Sequence, residues 1–109
     1  MKKDAVEIFQ TIRATLQPYA TLGFLNRINS DVEYDLWSEK NITVNSEQLT
    51  ETFFAAVKIQ NEVVIFYWHS KADNRPEQKE VLELDESTLD QLEDQLSITY
   101  KTFIEQEWI

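Results

Sequence analysis

The chain has 109 residues, 20 acidic against 10 basic, for a formal net charge of −10, with no cysteine and a single glycine, Gly23. That charge excludes a nucleic-acid partner or an anionic membrane surface, whose attraction rests on Lys and Arg meeting phosphates. The missing cysteines exclude a disulfide framework, thiolate metal ligands and a thiol nucleophile, and one glycine is too few for either phosphate-cradling loop.

Met1-Lys2-Lys3 leads into a helical pattern instead of the apolar stretch of a secretory signal. No segment reaches the roughly 20 apolar residues of a membrane span, so a cytoplasmic protein is expected. From Asp4 to Leu16 the apolar residues Ala5, Ile8, Phe9, Ile12 and Leu16 recur at i, i+3, i+4 spacing, one face of a helix. Pro18 lacks an amide hydrogen and disfavours helical geometry at Gln17, so the helix is expected to end there.

Leu22 to Leu25 and the stretch after Asn29-Ser30-Asp31 read as two extended segments joined by a turn. In the second, Val32, Tyr34 and Leu36 alternate with Glu33, Asp35 and Trp37, a half-buried strand whose first set faces the core. Ser38 to Thr50 is polar apart from Ile42, Val44 and Leu49, and reads as a loop with room for a short strand.

The strongest β pattern is Thr52 to Ile59, the turn Gln60-Asn61-Glu62, and Val63 to His69. Two apolar runs rich in aromatic and β-branched residues around a short polar turn form a hairpin. Both alternating sets are largely apolar, which puts these strands at the sheet centre, with Lys58 marking where the second face meets water. Ser70 to Lys79 reads as a solvated loop, and Val81, Leu82 and Leu84 as a short last strand. Ser87 with Asp90 resembles a capping box ahead of Leu89, Leu92, Leu96 and Phe103, a second amphipathic helix whose apolar face Tyr100 and Ile104 widen.

This order predicts one α+β domain over 1–109: an antiparallel sheet of about five strands with an N-terminal and a C-terminal helix packed on one face. Phe9-Gln10-Thr11-Ile12-Arg13, Leu16-Gln17-Pro18-Tyr19-Ala20, Tyr34-Asp35-Leu36 and Phe53 to Ile59, taken in order, resemble the YdhG-like family of small bacterial proteins. The resemblance implies a compact antiparallel α+β domain of unknown function. Because some relatives are described as frataxin-like iron chaperones, it also implies a metal-carrying alternative. It carries over no catalytic residue and no cofactor.

Three kinds of chemistry compete. His69 is the one histidine and would serve acid–base work if partnered by a carboxylate such as Glu33 or Glu80; alternation puts it on the face of Val63, Ile65 and Tyr67. No serine sits in an elbow motif. Asp85, Glu86, Asp90, Glu93 and Asp94 crowd the start of the second helix, where they either hold a hard divalent cation or complement the helix dipole without a ligand. Trp37, Phe54, Phe66 and Trp68, with Lys58 and His69 at the margin, would form an apolar patch on the sheet face away from the helices. That patch would suit a protein partner or a second copy, unless residues 38–50 fold across it. The leading expectation is a non-enzymatic binding domain using that face; no residue pattern names a small-molecule ligand.

Overall fold

The computed structural model describes residues 4–44, 46–70 and 75–109, with the backbone alone at Val44 and Arg75. The elements run α1 (Ala5–Ala20), β1 (Glu33–Ser38), β2 (Ile42–Val44), β3 (Glu47–Leu49), β4 (Thr52–Gln60), β5 (Val63–Ser70), β6 (Arg75–Val81) and α2 (Glu86–Glu105). The main antiparallel sheet has four strands in the order β1-β4-β5-β6, and β2 pairs with β3 in a small sheet of their own. Both helices lie on one face of the main sheet, so the α+β class is as expected. Among the described residues no helix is long and apolar enough to cross a membrane.

The central hairpin is present as read. β4 and β5 hold the middle positions and are joined by Asn61-Glu62, whose φ angles of 52° and 66° are the left-handed pair that a two-residue turn between twisted strands requires. Ile8, Phe9, Ile12 and Leu16 of α1 and Leu92, Leu96 and Phe103 of α2 meet the inward side chains of the sheet in one continuous core. Phe24 closes it, stacking on Phe54 with ring centroids 4.0 Å apart.

Four element boundaries depart from expectation, each for an identifiable reason. α1 runs through Pro18 to Ala20. Pro18 removes only the amide that would serve the Ala14 carbonyl, and Ala14 is exposed, so that oxygen reaches solvent. Tyr19 anchors the last turn by packing 5.3 Å from Phe54 and 5.6 Å from Tyr100 between ring centroids. α2 is capped two residues earlier than Ser87, by the Asp85 carboxylate, which accepts the Thr88 amide at 2.8 Å, so the helix starts at Glu86. The last strand is Arg75–Val81, not Val81 to Leu84, and Leu82 is exposed. An outer strand needs only backbone pairing with β5, so its side chains carry no apolar pattern; of the expected loop, Lys71 to Asn74 lie outside the described residues. Within 38–50, two short strands turn about Ser46 at φ 67°.

One irregularity sets which side chain faces which way. Leu36 pairs with Ala55 but Trp37 pairs with Phe53, so β4 carries one extra residue, Phe54, opposite β1. A bulge of this kind exchanges the faces of everything beyond it. Phe54, Val57 and Ile59 turn toward the helices, and Phe53, Ala56 and Lys58 turn away.

The C-terminal residues also pack. The Ser38 hydroxyl donates to the Trp108 carbonyl, and the Trp108 amide donates to the Phe103 carbonyl at 2.8 Å. Gly23 sits at φ 110°, a backbone angle that favours glycine, and a Cβ there would come within 3.2 Å of the Ile109 side chain.

Candidate functional site

The patch expected on the open sheet face is there, built from a different set of side chains. Of Trp37, Phe54, Phe66 and Trp68, only Trp37 faces away from the helices. Phe54 and Phe66 are fully buried in the core, and Trp68 stacks against Phe66 at 5.5 Å between ring centroids. The bulge and the pairing of Ala55 with Trp68 account for this, since they send Phe66 and Trp68 inward with Val57. The open face receives Phe53 and Tyr67 instead. With Trp37, Glu33, Lys58, Ile28 and Pro76 they line a groove of about 400 Å³.

The groove is scaffolded by polar contacts rather than by packing. Asp35, expected to face solvent, is buried. Its Oδ1 accepts the amides of Arg27 and Ile28 at 2.9 and 2.8 Å, and its Oδ2 accepts the Trp37 indole Nε1 at 2.8 Å. One carboxylate thus folds the preceding turn over β1 and fixes the indole. The indole meets Phe53 edge-on at 5.4 Å. The Arg27 guanidinium lies 4.6 Å from the Trp37 ring centroid and is itself held by ion pairs to Glu39 and Glu51. Those bonds, the one to Glu51 foremost, raise the Arg27 pKa, and the same bond holds the Glu51 carboxyl below its ordinary value.

None of the described residues of 38–50 lines the groove, while Ile42 and Leu49 pack on the core. Lys58 sits at the groove, opposite Glu33 on β1 and Ile65 on β5, where side chains of both signs meet water.

The sheet edges are guarded in different ways. Leu25 pairs with Trp37, and Asn29 with Tyr34, as isolated bridges along β1. β6 leaves its outer edge open but carries Pro76, Glu77, Lys79 and Glu80, residues that discourage another strand from adding on.

His69 does not join this face. Regular pairing with β4 stops at Trp68, and the imidazole instead turns to the helix side, edge-on to Phe103 at 5.4 Å and Trp108 at 5.3 Å. Glu80 pairs with Ile65, four residues along the sheet from His69, and Glu33 stands level with the same Ile65 but two strands away, so the backbone register sets both carboxylates about 14 Å or more from His69 between Cα atoms.

The acidic residues line one side of the second helix. Asp85 is spent on its cap, which holds its carboxyl below the ordinary value through the bond from the Thr88 amide. Glu86, Asp90, Glu93 and Asp94 are exposed and, at i, i+3 and i+4 spacings, share one face of α2. Among the described residues no three His, Cys, Asp or Glu side chains converge on a point that could hold a metal ion.

No family model, curated protein or solved structure matches this chain.

Proposed function

We propose that this chain is a non-enzymatic, cytoplasmic binding domain of the YdhG-like kind that takes a protein partner on the open face of its sheet. The observation that carries this reading is the groove itself. Trp37, Phe53 and Tyr67 stay only half-buried on the face away from the helices, where Asp35 and the ion-paired Arg27 hold Trp37 and its indole meets Phe53 edge-on. Aromatic side chains beside charged groups of both signs are the composition of a recognition surface, with apolar area for affinity and charge for register. A partner other than a second copy is favoured by the net charge of −10, since two copies would repel each other. The metal-carrying alternative rests on the α2 carboxylates, which among the described residues form no group of three that could hold a metal ion.

The test is photo-crosslinking in cells from a reactive residue at Tyr67, beside a control at exposed Gln10 on α1. An adduct of one defined mass at Tyr67 alone, lost with Phe53→Glu, is expected. An adduct of twice 12.9 kDa would give the face to a second copy instead, and no adduct would sink the proposal.

A further inference from the structure

A second surface asks for an occupant of different chemistry. α1 and α2 lie on the same face of the sheet, and between them runs a cleft of about 700 Å³. Ala14, Thr15 and Pro18 help to form one wall and Glu93, Leu96 and Tyr100 the other. The Thr11 and Thr15 hydroxyls, which complete the α1 wall, donate to carbonyls of their own helix at 2.9 and 3.0 Å, so neither proton is left for a ligand. The wall is in effect apolar. Thr11 to Pro18 and Glu93 to Tyr100 each span seven residues, about 10.5 Å at helical rise, the distance from i to i+7 on an incoming helix.

Its electrostatics are one-sided. Among the described residues Glu93 is the only charged side chain lining the cleft, and no cation does. The Ala14 carbonyl, on the opposite wall, has no amide at Pro18 to satisfy it. Between them the Tyr19 phenol has its pKa raised, by burial first and then by Glu93 and Tyr100, so it stays protonated. The acceptors thus outnumber the donors, in a molecule with ten excess negative charges and with Asp90 and Asp94 exposed on the same helix.

We infer that the cleft between α1 and α2 is a second binding site, receiving a basic amphipathic helix from a partner protein. Its apolar anchors would lie between the walls and a Lys or Arg would reach Glu93 and the Ala14 carbonyl. An acidic helix of the same shape would bring its charges against Glu93 and be rejected.

The probe is a synthetic amphipathic peptide of leucine and lysine, beside a twin with glutamate at every lysine, each titrated into the isotope-labelled full chain and followed by amide NMR. Saturable shifts at Ala14, Thr15, Leu96 and Tyr100 are expected with the basic peptide, with affinity at least about tenfold above that of the twin. Glu93→Lys should weaken it by a similar factor, and Phe53→Glu on the far side of the sheet should leave it unchanged. Equal binding of the twins, shifts confined to the outward carboxylates of α2, or no saturable shift up to about 1 mM would overturn the assignment.

Discussion

The two faces of the main sheet carry similar aromatic side chains and hold them by opposite means. Toward the helices, Phe54, Phe66 and Phe103 are wholly buried, with Phe54 and Phe103 5.4 Å apart edge-on and Phe66 stacked on Trp68. On the open face, Trp37, Phe53 and Tyr67 are half-buried, and Trp37 is held by Asp35 and by Arg27, itself paired with Glu39 and Glu51. Burial stabilises the first set. In the second, Trp37 is fixed by directional polar bonds and leaves part of its surface exposed.

Truncating one residue on each face is the broadest way to test that contrast. Phe54→Ala should cost about 3–5 kcal/mol in chemical denaturation, as expected for a fully buried ring. Phe53→Ala, one residue earlier and facing out, should cost roughly 1 kcal/mol, in line with partial burial. Comparable losses would mean that the open face is part of the core.

Asp35→Ala probes the polar scaffold directly. It strips the acceptor from the Arg27 and Ile28 amides and the Trp37 indole, so about 2–3 kcal/mol should be lost, with a change in the near-ultraviolet signal of Trp37. Unchanged stability would show that these donors find other partners.

Pro18→Ala addresses the helical face. Restoring the amide to the Ala14 carbonyl should raise stability by about 1 kcal/mol, below the roughly 3 kcal/mol of a mid-helix proline because Pro18 lies in the last turn. A loss would mean that the proline ring itself packs usefully in the cleft.

The smallest effect is expected from acid. The Glu51 carboxyl ionises more readily when folded than when unfolded, so its contribution is complete above the ordinary Glu pKa near 4.3 and fades as pH falls through the lowered folded value. Trp37 fluorescence should therefore change below about pH 4 in the parent chain and change less in Glu51→Gln. Identical profiles would separate the Arg27 clamp from the groove.

Much of this architecture is legible from periodicity. Both helices, the Tyr34–Leu36 strand and the central hairpin announce themselves because burial repeats at a fixed interval along each. What the residues conceal is set by distant partners. Asp35 alternates with two buried neighbours and so reads as solvent-facing; its burial depends on amides seven and eight residues earlier. Val32, read as inward with Tyr34, precedes β1 and is exposed. β6 reads as loop because Arg75 to Glu80 contains no apolar residue, its structure coming wholly from the pairing with β5. The open face itself was inferable, but not its members. In Phe53-Phe54-Ala55-Ala56 nothing local says where the alternation breaks, and Tyr67 could be placed outward only once that break was fixed.

The extra residue in β4 makes the identity of the presented surface a matter of counting. Deleting a single codon there would pull Phe53 into the place of Phe54 without altering any other side chain. A length change of one residue in this strand would thus decide which aromatic ring faces the helices and which faces out more sharply than most substitutions do.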